Sequence, residues 1–130
     1  MFITKSNFIL YVQDQTRSAE FYTRVLGIAP SLNVPGMTEF TLSENSVLGL
    51  MPETGIKRLL GERLPDPAQA AGVPRCEIYL TVVRPEEYHR RALEAGAVEL
   101  SELQVRDWGD RAAYSLDLDG HVLAFAEKIA

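Results

Sequence analysis

Apolar and polar positions along the chain switch between two periods, and glycine, proline and acidic residues mark the switches. Phe8 to Gln13 is β-branched and aromatic, which predicts a strand. From Thr16 to Leu26, Phe21 with Val25 and Tyr22 with Leu26 recur at helical spacing. Asp14 or Thr16 supplies a side-chain cap for the first turn. Gly27, tolerant of a left-handed backbone, ends that helix. Short strands are predicted next over Ile28–Val34, closed by Pro35-Gly36, over Thr38–Leu42, and over Val47–Met51 after a turn at Ser43-Glu44-Asn45. Pro52 closes this run. Gly55, Gly61, Pro65, Pro67, Gly72 and Pro74 then punctuate a linker, with a short helix expected near Ile56–Leu60.

The pattern then repeats. Glu77–Val83 reads as a strand, and Arg84-Pro85-Glu86-Glu87 opens a helix with proline early and acids at the positive end of the dipole. That helix runs to about Ala95, with Tyr88, Ala92 and Ala95 on one face, and Gly96 stops it. Val98–Leu103 begins another strand, and Trp108-Gly109 is a loop. Ala112–Leu116 and Val122–Ala126 flank Asp119-Gly120, a strong hairpin signal. Asn7 and Glu77, like Asp14 and Arg84, stand 70 positions apart, whereas Gly49 and Ala124 stand 75 apart. Two copies of a β-α-β-β-β unit are the reading: module one over 5–52, linker over 53–75, module two over 76–128. The fold class is α+β, two βαβββ modules forming an open, cleft-bearing mixed sheet. Each helix covers one sheet face and leaves the other concave.

Composition narrows the function classes. The chain of 130 residues is 46% apolar and 24% charged, as expected for one globular domain. No run approaches the roughly 18 apolar residues of a membrane span. The opening MFITKSNF lacks the basic-then-apolar layout of a signal peptide. The single cysteine, Cys76, forms no internal disulfide, so a reducing cytoplasm is the expected location. A net charge of −5 argues against nucleic acid as partner and favours neutral or cationic ligands over polyanions.

Strand alternation gives an expected lining for the cleft. Asn7, Ile9 and Tyr11 share one face of the first strand, while Phe8, Leu10 and Val12 meet the helix. Glu77, Tyr79 and Thr81 face the cleft in the matching strand, with Ile78, Leu80 and Val82 in the core. Val47, Gly49, Met51, Val122, Ala124 and Ala126 complete the face. Such a groove is apolar and aromatic, with a small-residue floor and one carboxylate, features suited to orienting a bulky guest. Plainer roles stand beside these. Glu77 is also a candidate to pair with Arg75 or Arg111, and Tyr11 and Tyr79 to be sheet packing. Trp108 is read either as a lid over the cleft or as a plug beside Tyr114. Arg111 is read as a carboxylate binder or, preferably, as a partner of Asp107 or Asp110. His89 and His121 are expected to be solvated, and Cys76 to be a buried small hydrophobe.

Two stretches carry a family resemblance: Tyr11-Val-Gln-Asp14 with Ser18-Ala-Glu-Phe-Tyr22 and Val25-Leu-Gly27, and Trp108-Gly-Asp-Arg111 with Asp117-Leu-Asp-Gly-His121. Together they resemble the vicinal oxygen chelate superfamily of glyoxalase I, extradiol dioxygenases and bleomycin-resistance proteins. The resemblance implies one divalent metal held by His, Gln or Glu at the first and last strands of each module. Those positions here are Asn7, Gly49, Glu77 and Ala124, so only Glu77 is a strong ligand. The expectation is a protein without a metal or other cofactor. It holds a partly aromatic ligand with a cationic group, through Asn7, Tyr11, Met51, Glu77, Tyr79, Trp108 and Arg111. The alternative is a glyoxalase I-like lyase or isomerase, or a dioxygenase, with an unconventional site for Ni, Zn or Fe built on Glu77, the best catalytic candidate. Under either reading the resemblance implies a homodimer; net charge and hydropathy give the expectation of no nucleic-acid or membrane partner.

Overall fold

The computed structural model describes residues 2–129. These divide into two compact units, the first comprising residues up to 23 together with 27–69 and the second residues 24–26 together with those from 70 onward. Each holds one four-stranded mixed sheet.

In the first unit, strand β1 (Ser6–Val12) leads into helix α1 (Gln15–Leu26). Strands β2 (Leu32–Val34), β3 (Met37–Ser43) and β4 (Ser46–Pro52) follow. The sheet order is β1-β4-β3-β2, with β1 parallel to β4 and the other pairs antiparallel. Asp14 is the helix N-cap, its carboxylate accepting from the Arg17 backbone N–H at 3.0 Å. Thr16 lies inside the first turn. Gly27 closes the helix at φ 69°. Leu10, Val12, Phe21, Tyr22, Phe40, Leu48 and Leu50 are buried, and Tyr22 meets Phe40 with ring centroids 6.4 Å apart.

Three expectations shift here. The strand predicted over Ile28–Val34 shrinks to Leu32–Val34, because Pro30 has no N–H to give a ladder. Phe8 does not meet the helix: it ends the Phe8–Leu48–Phe40 row on an edge strand and stays 69% exposed. The stretch expected to be a linker is largely helical, with α2 (Glu53–Leu60) followed by two short 3-10 turns, Gly61–Arg63 and Pro67–Ala70. Pro52 leads into α2 and Glu53 sits in its first turn, where the dipole favours it. Ile56 anchors the helix, and the Lys57 ammonium binds the carbonyls of Gly61 and Leu64 beyond its end.

The second unit repeats the plan. Strand β5 (Glu77–Thr81) precedes helix α3 (Pro85–Glu94), then β6 (Val98–Val105), β7 (Asp110–Leu116) and β8 (Val122–Lys128). The order is β5-β8-β7-β6, again with one parallel pair, β5 with β8. Leu123, Phe125, Ala113 and Ala92 fill the layer between helix and sheet, and Tyr88 packs against Phe125 at 5.5 Å.

Both histidines depart from expectation, being buried rather than solvated. The buried stripe of α3 is Pro85, His89 and Ala92, so His89 points at the sheet, where its Nε2 meets the Glu99 carboxylate at 2.8 Å. His121 follows the β7–β8 turn and is enclosed by Asp117 and Arg75.

Candidate functional site

Residues paired across a ladder project to the same sheet face, so register fixes each unit's open face. In the first unit Asn7, Ile9 and Tyr11 stand opposite Val47, Gly49 and Met51. Glu39 stands opposite Gly49 on the other flank of β4. The three predicted residues Asn7, Tyr11 and Met51 thus share one face. A Cβ placed on Gly49 would lie 3.0 Å from Ile9 Cγ1 and 3.3 Å from Met37 Sδ, so neighbouring side chains already fill that seat. Asn7 Nδ2 donates to Glu39 Oε2 at 3.3 Å. Glu39 is a carboxylate the sequence reading passed over, although alternation from the evident core residue Phe40 places it on this face.

In the second unit Glu77, Tyr79 and Thr81 stand opposite Val122, Ala124 and Ala126. Tyr114 and Ala112 adjoin the same alanines from β7. Ala112, Ala124 and Ala126 form a closed floor of small side chains. Over it lies a directed chain of hydrogen bonds. Trp108 Nε1 donates to the Tyr79 hydroxyl at 2.9 Å, and Tyr79 donates to Asp110 Oδ2 at 2.6 Å. Trp108 itself is 55% exposed. It is not a plug beside Tyr114, whose ring is covered instead by the Arg106 guanidinium at 5.2 Å. Desolvation raises the Tyr79 phenol above its usual 10.0; the bond to Asp110 adds to this and the Trp108 donor opposes it. Tyr114 is raised as well, first by desolvation and then by the charge of Glu77.

Glu77 is exposed and, among the described residues, has no hydrogen bond or ion pair. Its two proposed arginine partners are engaged elsewhere. Arg75 binds the Ala70 and Asp119 carbonyls and His121. Arg111 lies on the helix side, paired with Glu127 and 3.8 Å from Glu86. The structure therefore brings Glu77, Tyr79 and Trp108 to one face and leaves Arg111 on the other, held by neither Asp107 nor Asp110. Asp110 is the residue the sequence reading missed. Its separation from Tyr79 by 31 positions hides the contact, and only its even spacing from Ala112 and Tyr114 places it on the face.

The four positions where the family resemblance would put metal ligands do not form a donor set. Gly49 and Ala124 offer no donor atom, the Gly49 seat is filled, and the Asn7 amide is engaged by Glu39. Glu77 alone remains. A second group of ligand types, Asp117, Asp119 and His121, gathers within 4.8 Å. It is already committed. Asp117 Oδ1 accepts the backbone N–H groups of Asp119 and His121 at 2.9 and 2.8 Å, and Oδ2 meets His121 Nδ1 at 3.0 Å. Arg75 stands 2.9 Å from His121 Nε2, a cation where a metal would need a lone pair. This group ties the segment before β5 to the β7–β8 turn. Cys76 in that segment is exposed rather than buried, because it precedes the strand. Desolvation, and then Asp117, push its thiol up while Arg75 opposes them, the reverse of what a nucleophile needs.

Two repeated α+β units, each with one helix-covered sheet face and one face free of its helix, define the class. The chain belongs to the Glyoxalase/Bleomycin resistance protein/Dioxygenase superfamily, whose family model matches residues 6–125. An uncharacterized protein of Mycobacterium bovis is 28% identical over 124 residues, covering 92% of this chain and 80% of that one. Among solved structures, the hypothetical protein SA1046 from S. aureus superposes with a TM-score of 0.77 at 26% identity, covering 98% of this chain and 95% of that one. A glyoxalase-related enzyme from Fulvimarina pelagi gives a TM-score of 0.78 at 21% identity over 95% of this chain and 86% of its own. Among the described residues, no helix is long and apolar enough to cross a membrane.

Proposed function

We propose that this chain is a metal-free binding protein for a small, partly aromatic molecule carrying a cationic group. In this reading it is of the bleomycin-resistance type and works as a cytoplasmic homodimer. The observation that carries the proposal is the exposed Trp108 ring tethered through Tyr79 to Asp110, above a floor of alanines and beside the unpaired Glu77. An aromatic face flanked by carboxylates attracts a cation through both the ring quadrupole and the charge. The floor alanines are themselves covered, so the contact area for a guest is the exposed Trp108 ring, and few polar groups are needed to orient it. The incomplete donor set at Asn7, Gly49, Glu77 and Ala124 supports binding without a metal.

Titration with benzyltrimethylammonium, followed by the fluorescence of the single tryptophan, tests the proposal. Saturable quenching that benzyl alcohol fails to reproduce is the expected result. Silence with both probes counts against binding at this face. Metal analysis after incubation with Ni, Co, Zn, Mn and ferrous iron is the companion measurement. One tightly held metal per chain overturns the metal-free reading and favours an enzyme built on Glu77, in which Glu77→Gln abolishes turnover. Sedimentation equilibrium decides the dimer.

A further inference from the structure

We propose that Asp110 is the positioning residue of the binding face: acting through the Tyr79 hydroxyl, it holds the Trp108 indole in place. A tyrosine hydroxyl has one proton to give and lone pairs to receive with, and an indole N–H only donates. At 2.6 Å the Tyr79 proton is committed to the Asp110 carboxylate, a charge-assisted bond at the short end of the range. The lone pairs left on the hydroxyl oxygen then face Trp108 Nε1 at 2.9 Å. Both bonds run in the same direction, so each polarises the next.

Trp108 depends on this relay. Its ring is 55% exposed, and among the described residues its N–H has no acceptor other than Tyr79. The backbone of its turn is secured separately. The Arg106 N–H donates to the Asp110 carbonyl at 2.8 Å, and the Ile129 N–H to the Gly109 carbonyl at 3.0 Å. Loss of the relay therefore frees the side chain and leaves the loop in place. Asp110 has a second oxygen, Oδ1, with no hydrogen bond among the described residues. It is available to a donor on a guest without breaking the bond to Tyr79. The inference deepens the binding reading, because it names what sets the ring against which a guest would lie.

The test is made without ligand, so that its outcome is independent of whether the face binds anything. Tryptophan anisotropy and acrylamide quenching are measured in the whole chain and in Tyr79→Phe, Asp110→Ala and Asp110→Asn. Tyr79→Phe and Asp110→Ala are expected to lower anisotropy, increase quenching and shift emission to the red. Asp110→Asn retains a neutral acceptor and is expected to recover part of the loss. The double variant Tyr79→Phe/Asp110→Ala should be no more mobile than Tyr79→Phe alone, since Asp110 acts through Tyr79. Wild-type mobility in Asp110→Ala, or additive effects in the double variant, overturns the proposal. Unchanged far-ultraviolet circular dichroism separates a freed ring from an unfolded unit. A relay that behaves as expected while benzyltrimethylammonium fails to bind would sink the binding reading alone.

Discussion

The two units share a strand order and a single parallel pair, yet they use their open faces differently. In the first, Ile9 and Met37 crowd onto Gly49, and the polar groups make short local bonds, Asn7 to Glu39 and Thr41 to Ser31. In the second, the corresponding position is Ala124, the floor is alanine, and an exposed tryptophan hangs above it on a directed relay. The connecting segments explain the difference. β2 and β3 are joined by the tight Pro35-Gly36 turn, which carries no large side chain. β6 and β7 are joined by Arg106–Gly109, long enough to bring Trp108 over the sheet. A duplicated scaffold supplies two equivalent platforms, and loop length decides which one becomes chemically eventful.

The helix starts differ as well. α1 has a side-chain cap at Asp14, whereas α3 begins at Arg84 with φ 61°, a left-handed backbone in a residue with a Cβ and no cap bond.

Substitutions can break this comparison, and the largest effect is expected in the second unit. A Cβ on Gly120, at φ +90°, would stand 2.7–2.8 Å from the backbone of Gly72. Gly120→Val is therefore expected to cost about 3 kcal/mol or more, read by denaturant unfolding, since neither backbone can give way. In the first unit, the nearest atoms to a Cβ on Gly49 are side-chain atoms, of the stiff β-branched Ile9 and the flexible Met37. Gly49→Ala should lose about 1–2 kcal/mol; a loss matching that of Gly120→Val would show the first face to be as rigid as the turn.

The caps come next. Asp14→Ala should destabilise by about 1 kcal/mol, while Arg84→Gly should stabilise by roughly 0.5 kcal/mol by relieving the left-handed strain. Arg84 is exposed and its 3.5 Å ion pair with Glu87 is worth little, so that loss does not reverse the sign.

The smallest effect is spectroscopic. Tyr79 and Tyr114 hold their protons more tightly in the folded chain than the ordinary value of 10.0 implies. Their contribution to stability is present below that value and is lost as the pH rises through the raised ones. An alkaline absorbance titration should show late-titrating phenols, with one removed by Tyr79→Phe. An unchanged late component in that variant would separate Tyr79 from the relay.

Much of the fold was legible. Asp14, the Phe21/Val25 spacing and Gly27 delimit α1 because capping and helical periodicity are local. The alternation in Val47–Met51 and Val122–Ala126 places Gly49 and Ala124 on the open faces, as the registers have them. What escaped depends on partners distant in sequence. His89 is buried because Glu99 arrives on strand β6, and His121 because Arg75 reaches it across 46 positions while Asp117, four positions before it, holds its other ring nitrogen. The neighbourhood of His121 offers Asp117 but does not announce Arg75. Tyr79 and Trp108 each stand out in the sequence, but their bond to one another, and that of Tyr79 to Asp110, exist only once the sheet is built. Only the start of α2 escaped: the expected helix near Ile56–Leu60 begins earlier, at Glu53, because Gly55 resembles punctuation yet lies within the helix, and Gly61 ends it.

The parallel pairs carry a consequence for how the chain is made. β1 is joined to a strand 40 positions later, Ser6 to Ser46, whereas Ser43 and Ser46 close a hairpin almost at once. β5 waits in the same way for β8, Glu77 for Val122, while Leu116 and Val122 meet across one turn. Local hairpins form in roughly microseconds, but a strand leaving the ribosome at about 5–20 residues per second waits seconds for a partner not yet synthesised. The earliest segment of each unit is thus the last to be seated. During that interval Phe8-Ile9-Leu10 is an apolar ribbon with both edges unpaired, which makes the nascent chain, more than the finished protein, the form most in need of a chaperone.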